Sequence, residues 1–282
     1  DDASRLVGVQ ALGVDETAFL AANAKHPTIV VTGVVDLHAR RLLDVVPGRS
    51  GNALHGWVSG QSEHWRANVA VAALDPFRGY ATALNQQLPH AVRVLDPFHV
   101  AKLGLTALDQ VRRRVQHDIH GHRGHRGDPL YGIRRILRRR ADRLSERAWD
   151  RLRAGLVAGD PRGEVTAAWT IAQDLMRCYQ VRDASAAAAV ITAARDCPVP
   201  EIVRLGRTLH TWRAEFLAHF AHTDVSNGPT ESLNLKIKNT KRTARGFRNF
   251  GNYRLRLLLN HGRIQNNHQT SRIRTRRPSL VA

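Results

Sequence analysis

The order of β-type and helical patterns in residues 7–100 constrains the fold more than any other feature of this chain. Three β-rich runs come first, and the polar turn at 36–38 between the second and third runs suits antiparallel pairing. Two further runs flank a helical pattern at 77–88, and such a strand–helix–strand unit predicts parallel strands joined by a right-handed crossover. A short helical pattern at 51–58 separates the two groups. The five runs are residues 7–14, 28–35, 41–46, 69–74 and 91–95.

An antiparallel meander followed by two parallel strands predicts an α/β fold with a ribonuclease-H-like mixed sheet, in strand order 3-2-1-4-5. In that order the first and fourth strands are neighbours, about 4.8 Å apart. Asp15 follows the first strand and Asp75 follows the fourth, so we expect their carboxylates to meet at one edge of the sheet. Like charges raise each other's pKa unless a cation lies between them. A divalent metal such as Mg²⁺ or Mn²⁺, which prefers carboxylate oxygens, is the expected cation.

A third acid comes from the segment at residues 226–242. Pro229 suits the first turn of a helix, and Leu233 and Ile237, four residues apart, give that helix an inward side. Glu231 therefore lies in the first turn of a helix whose next two turns are basic. Three acids could hold two metal ions about 3.5–4 Å apart, which stabilises both the attacking and the leaving oxygen of a displacement at phosphorus.

Other interpretations of these acids stay open from the residues alone. The tetrapeptide Leu-Asp-Pro-Phe occurs at 74–77 and again at 95–98, so Asp96 has the same local context as Asp75. Asp96 ends the fifth strand, one position further from Asp15, and we expect it to pair with His99 as a helix cap or a support of the metal ligands. Glu16 points to the opposite face if the first strand continues. Each acid alone could also be an ordinary strand-end or turn residue.

The charge of the chain indicates its class of partner. The net charge is +19 with a pI of about 11.4, which predicts attraction to polyanions, foremost nucleic acid; the alternative is a ribosome-like or simply basic protein. A second basic stretch runs from 112 to 140, and the Gly/His loop at 120–127 interrupts it. No acid or cysteine spacing completes a metal site among the histidines there, so we expect a solvated loop. The residues predicted to bind phosphates near the acids are Lys236, Lys238, Lys241, Arg242, Arg245 and Arg248.

The remaining pattern predicts how the chain is divided. Apolar positions between 165 and 179 recur at spacings of three and one, which indicates an amphipathic helix. The strand pattern does not resume afterwards, so we expect a large all-α insertion before the final catalytic helix. The predicted segments are the first part of the core at 1–97, the insertion at 98–224, the catalytic C-terminal helices at 225–265 and a basic tail without fixed structure at 266–282.

Five segments, in this order, resemble the transposases of the ISL3 group of bacterial insertion sequences: 13–16 (GVDE), 74–80 (LDPFRGY), 94–100 (VLDPFHV), 226–231 (SNGPTE) and 246–253 (GFRNFGNY). The resemblance extends from about residue 7 to 265. It implies a ribonuclease-H-like DDE domain in which Asp15, Asp75 and Glu231 are the catalytic, metal-binding residues, with two Mg²⁺ or Mn²⁺ ions. It also implies partners: the terminal inverted repeats of the element, target DNA, and further copies of the chain assembled on DNA.

The resemblance implies metal-dependent DNA strand cleavage followed by strand transfer. The chain opens with Asp-Asp and its sole methionine is Met176, so we expect it to derive from a longer protein. Members of the family usually carry a zinc ribbon and a helix-turn-helix before the first Asp, and this chain has neither. One alternative is therefore a truncated, non-catalytic remnant that still binds DNA. Another is a structure-selective nuclease of the same fold, such as a Holliday-junction resolvase, which would not account for the five segments.

The expected location is the bacterial cytoplasm, in association with the nucleoid. The two cysteines, Cys178 and Cys197, form neither a CxxC pair nor a disulfide framework, which suggests a reducing compartment. No apolar run approaches the roughly 20 residues of a membrane span, and no signal peptide is visible. We therefore expect no membrane partner.

Overall fold

The computed structural model describes residues 3–24, 26–222 and 228–262. Five strands form one sheet, and their bounds are β1 Ala11–Leu20, β2 Ile29–Asp36, β3 Arg41–Pro47, β4 Val71–Leu74 and β5 Val92–Leu95. The strand order is β3-β2-β1-β4-β5, which confirms the predicted order 3-2-1-4-5. The pairs β1–β2 and β2–β3 are antiparallel, whereas β4 is parallel to both β1 and β5. The fold is thus the mixed α/β sheet expected of a ribonuclease-H-like domain.

Strand β1 both begins and ends later in the sequence than predicted, at Ala11 and Leu20 instead of within the run 7–14. Its pairing with β4 ends at Val14, opposite Leu74, but its pairing with β2 continues to Leu20. The strand persists because its side chains still alternate in burial after residue 14, with Thr17 and Phe19 buried. The expectation that β1 ends before Asp15 was therefore wrong. Asp15 lies inside the strand, at the level where β1 loses its β4 neighbour.

The helices lie on both faces of the sheet. A helix at Glu63–Asn68 was not predicted from the sequence; Ser62 caps it, with its side chain accepting from the backbone N–H of Trp65. The α-helices are α1 Gly51–Ser59, α2 Glu63–Asn68, α3 Arg78–Gln87, α4 Pro97–His120, α5 Pro129–Ile133, α6 Glu146–Gly159, α7 Glu164–Val181, α8 Ala184–Asp196, α9 Pro200–Thr211, α10 Arg213–Ala221, α11 Gly228–Thr243 and α12 Phe250–His261. Short 3₁₀ helices occupy Ala3–Leu6 and Ala141–Arg143.

The two faces of the sheet build separate cores. Leu12 and Val14 of β1 belong to a large core that continues into α1, α3 and the helices from α4 to α10. Ala11 and Phe19, which alternate with them, belong to a smaller core with α11 and α12. Asp15 is separated from Ala11 and from Phe19 by an even number of strand positions, so its side chain points to the same face of the sheet as theirs, toward α11. Glu16 points to the opposite face, as predicted, and its Oε1 lies 2.6 Å from Nε of Arg49.

Helix α4 connects the sheet to the other inserted helices. It has 24 residues, so it is about 36 Å long. Helix α7 runs antiparallel to it: Gly104 of α4 packs against Leu175, and Arg114 near the far end of α4 forms ion pairs with Glu164 and Glu201. All elements described between residues 97 and 221 are helical. The segment boundaries at 97, 224 and 265 remain predictions, and the basic tail at 266–282 lies outside the described residues.

A buried carboxylate at the sheet edge holds two helices in place. Asp44 of the edge strand β3 accepts two hydrogen bonds from Arg254 of α12, at 2.6 and 2.8 Å. It also accepts one from the indole N–H of Trp57 on α1, at 2.9 Å. The side chain of Asp44 is only 8% exposed. One acid therefore ties α1 and α12 to β3.

Candidate active site

Three side chains converge where β1 and β4 separate. Asp15 comes from β1, Asp75 directly follows β4, and His99 lies in the first turn of α4. One ligand atom from each lies within 4.8 Å of the other two. Asp15 is buried, and the side chains of Asp75 and His99 are each 18% exposed. Two of the three acids predicted from the sequence are therefore neighbours in the structure.

Asp96 holds His99 beside Asp75. Asp96 is the N-cap of α4, its carboxylate accepts from the backbone N–H of His99 at 3.3 Å, and it lies 2.8 Å from the imidazole Nδ1. The same Nδ1 lies 2.8 Å from Oδ1 of Asp75, as an ion-pair contact. Asp96 thus caps the helix and orients His99, which in turn contacts Asp75. Asp96 is not part of the Asp15–Asp75–His99 group.

The charges of this group perturb its pKa values. Burial, and then the neighbouring charge of Asp75, raise the pKa of Asp15 to about 7. Burial alone would lower the pKa of His99, but its contacts with Asp75 and Asp96 outweigh that effect and raise the pKa to about 10. At neutral pH His99 is therefore an imidazolium, which only donates hydrogen bonds. In that state it is a counter-ion of the carboxylates.

Glu231 lies beside this group without joining it. Burial raises the pKa of Glu231, and the charge of Asp96 adds to the effect, while His99 opposes it. Its Oε1 is buried and has no hydrogen-bond partner among the described residues. The first turn of α11 thus brings Glu231 into the electrostatic field of Asp96, His99 and Asp75, but outside the 4.8 Å group.

Asn234 is a site residue that the sequence analysis missed. It is buried on α11, three residues after Glu231, and its Nδ2 donates to Oδ2 of Asp15. The other oxygen of Asp15 accepts from the backbone N–H of Glu16 at 2.6 Å. Asn234 therefore joins the helix that carries Glu231 to the strand that carries Asp15. The available signal was a polar residue on the inward side of α11, next to Leu233.

The donor set fits a divalent metal ion. Glu231 Oε1 is buried without a hydrogen bond among the described residues, whereas Asp75 Oδ1 lies 2.8 Å from Nδ1 of His99. An orphaned carboxylate oxygen such as Glu231 Oε1 is costly unless a cation meets it. Burial first and neighbouring carboxylates second raise the pKa values of Asp15 and Glu231 despite the opposing charge of His99, and a further cation would favour the charged forms of both acids. Hard cations such as Mg²⁺ and Mn²⁺ take these oxygen ligands.

Comparison with known proteins decides the family. The sequence model of the ISL3 group of DDE transposases, described as a transposase, matches residues 12–257. The chain belongs to the ISL3 transposase family. Its relatives include the transposase for insertion sequence element IS1557 from two strains of Mycobacterium tuberculosis, CDC 1551 / Oshkosh and H37Rv, each 27% identical over 267 residues. These alignments cover 86% of this chain and 58% of each relative, so the chain spans less than two thirds of their length.

A shorter match involves a differently named protein. An ATP-dependent protease of Lactococcus lactis is 57% identical over 37 residues, which is 13% of this chain and 12% of that protein. The match is too short to bear on the fold or the site of this ISL3 transposase chain.

The basic residues predicted to bind phosphates divide into two groups. Lys238, Arg242, Arg245 and Arg248 are exposed. Lys241 is half-buried, and its Nζ donates to the backbone oxygen of Ala18 at 3.1 Å. Lys236 is also half-buried and lines a cavity of about 370 Å³ between α11 and α12. The exposed group is therefore more accessible to a binding partner than the other two lysines.

The histidine loop does not build a second metal centre. His122 stacks between His120 and His125, with ring centroids 5.6 and 4.0 Å apart. Nδ1 of His122 lies 3.6 Å from Asp128, an acid that the sequence analysis did not consider. Stacked rings point their nitrogens outward rather than toward one point. Within the described part of the chain, only Asp15, Asp75 and His99 have the geometry of a metal site, and no described helix is long and apolar enough to cross a bilayer.

Proposed function

We propose that this chain is the catalytic domain of an insertion-sequence transposase, which cleaves DNA at the element ends and transfers the strands to target DNA. The observation that carries the proposal is the approach of Asp15 and Asp75 from adjacent strands, with Glu231 supplied by α11 beside them. The membership in the ISL3 family supplies the substrate class. The assembly of several copies on DNA in the bacterial cytoplasm belongs to the same proposal.

The carboxylates of Asp15, Asp75 and Glu231 would hold two Mg²⁺ or Mn²⁺ ions. Bound there, the ions would supply Lewis-acid stabilisation of charge on the phosphate oxygens. Asn234 and the backbone N–H of Glu16 fix the orientation of Asp15. His99, which contacts Asp96, fixes the orientation of the Asp75 carboxylate. The chain therefore orients both strand-borne acids through a second set of contacts, which keeps the site in one geometry.

The chemistry consists of two displacements at phosphorus. In the first, a water oxygen forms a bond to phosphorus, the bond to the 3′ oxygen breaks, and the products are a 3′-hydroxyl and a 5′-phosphate. In the second, that 3′-hydroxyl forms a bond to a target phosphorus and displaces the target's own 3′ oxygen. Both steps release a proton from the attacking oxygen, and both suit the same three acids.

Nicking of duplexes that carry the element's terminal inverted repeats tests the proposal. We expect nicks at the repeat end with Mg²⁺ or Mn²⁺, none with EDTA, and none from the Glu231→Gln variant, because that change removes a charged ligand without altering side-chain size. Binding without metal-dependent nicking would instead identify a DNA-binding remnant. Cutting of four-way junctions regardless of the repeats would identify a structure-selective nuclease.

A second prediction concerns the exposed basic residues after Glu231. Each phosphate neutralised adds roughly 0.9 to the slope of log affinity against log salt on duplex DNA. We expect the combined change Lys238→Ala, Arg242→Ala and Arg245→Ala to lower that slope by about two to three, for specific and unrelated duplexes alike. A triple change at three exposed arginines of α8 and α9, Arg195, Arg204 and Arg207, is the matched control. Equal slopes for the parent and the α11 variant would show that these residues never meet DNA.

A further inference from the structure

The inserted helices carry a concentration of positive charge far along the chain from the acids. Residues 123–153 contain eleven arginines and four acidic residues, a net charge of +7 in a chain whose total is +19. The stretch covers α5, the segment after it and most of α6. The catalytic chemistry uses none of these residues.

Six exposed arginines between residues 135 and 151 lack a carboxylate partner within the described residues. Two of the nearby acids already have other partners: Asp142 pairs with Arg140 at 2.5 Å, and Asp150 pairs with Arg153 at 3.9 Å. Neighbouring like charges without counter-ions repel, which destabilises the folded chain unless an anion binds there. We call these six residues the arginine face: Arg135, Arg138, Arg139, Arg143, Arg147 and Arg151.

The arginine face is built on a tightly packed support. Arg139 Nη2 donates to the backbone oxygen of Arg143 at 2.7 Å, and Arg151 Nη2 on α6 donates to that of Gly132 on α5 at 3.5 Å. A methyl group at Gly155 of α6 would lie 2.6 Å from Cγ2 of Ile133, so α5 and α6 approach closely only because residue 155 is glycine. The guanidinium groups therefore project from a fixed hairpin.

The position of the face relative to the acids follows from α4 and α7. Helix α4 starts beside Asp75 and ends about 36 Å away, where the chain turns into α5. The segment after α5 then returns along α7, since Gln173 hydrogen-bonds both the backbone oxygen of Arg139 and the N–H of Ala141. Gly104 of α4 packs on Ala172 and Leu175 of α7, so Gln173 lies beside Gly104 along the axis of α4. The face thus extends along α4 from about 10 to about 36 Å from its start.

The far end of the face therefore lies about one helical turn of DNA, about 34–36 Å, from the start of α4 beside Asp75. We propose that the arginine face binds the phosphate backbone of the same duplex that enters the active site, within about one helical turn of the scissile phosphate. The duplex as partner rests on the proposed function. Planar guanidinium groups match phosphate oxygens, and such contacts position a duplex without reading its bases.

The test measures binding without relying on catalysis. Arg135→Gln, Arg138→Gln and Arg147→Gln together should lower the salt slope on a duplex of about 30 base pairs by about two to three. The matched control, Arg195→Gln, Arg204→Gln and Arg207→Gln, removes the same charge from α8 and α9 and should leave the slope unchanged. Thermal unfolding of both variants checks that the exposed changes leave the fold intact.

Hydroxyl-radical footprinting of a duplex with one element end locates the contact. The parent chain should protect sugars near the cleavage point and a second group within about one helical turn of it. The arginine-face variant should lose only the second group. An unchanged salt slope, an equal loss in the control, or stronger competition by single-stranded RNA than by duplex DNA would each overturn the proposal. If the parent chain does not nick DNA but the arginine-face variant still lowers the salt slope, the proposed function is contradicted. The proposed contact between the arginine face and duplex DNA would still hold.

Discussion

Asp75→Asn is expected to reduce metal-dependent cleavage by at least about 10³-fold, because a metal ligand that stabilises the transition state by several kcal/mol is lost. DNA affinity should stay the same or rise slightly, since the change removes a negative charge that repels phosphate. Gel-shift and nicking assays on one duplex measure both effects. The control is Asp196→Asn, which removes the same charge from an exposed position on α8. Comparable cleavage by Asp75→Asn and the parent chain would exclude Asp75 from the mechanism.

Asp44→Ala is expected to lower the free energy of unfolding by about 3 kcal/mol, because it removes a buried carboxylate that accepts two hydrogen bonds from Arg254 and one from the N–H of Trp57. The loss affects α1 and α12 together, so chemical denaturation should show it directly. Asp150→Ala is the control: its pair with Arg153 spans 3.9 Å and both side chains are mostly exposed, so less than about 1 kcal/mol is expected. Equal effects of the two substitutions would contradict a structural role for the Asp44 contacts.

The sheet could be predicted because strand order depends on patterns that are local in the sequence. Three consecutive β-rich runs without a helical pattern between them pair antiparallel, and runs separated by a helix pair parallel. The extent of β1 could not be predicted in the same way. Beyond Val14 the strand is hydrogen-bonded to β2 alone. In the sequence, the polar pair Asp15 and Glu16 is typical of a strand end.

The site was predictable as far as it depends on the sheet. Asp15 and Asp75 are neighbours because their strands are neighbours. The contacts that orient them depend instead on how α4 and α11 are rotated against the sheet. Asn234 reaches Asp15 across 219 positions of sequence, and His99 contacts both Asp75 and Asp96, which lie on different elements. The rotation of a helix against the sheet cannot be predicted from residue spacing, so the contacts of Asn234 and His99 could be identified only in the structure.

The position of bound Mn²⁺ tests the account most directly. Crystals of the chain soaked in Mn²⁺ give an anomalous-difference map in which the ion itself is the signal. We expect at least one peak between the carboxylates of Asp15 and Asp75, with Glu231 as a further ligand. A map without a peak there, or with its strongest peak in the loop of His120, His122 and His125, would contradict it.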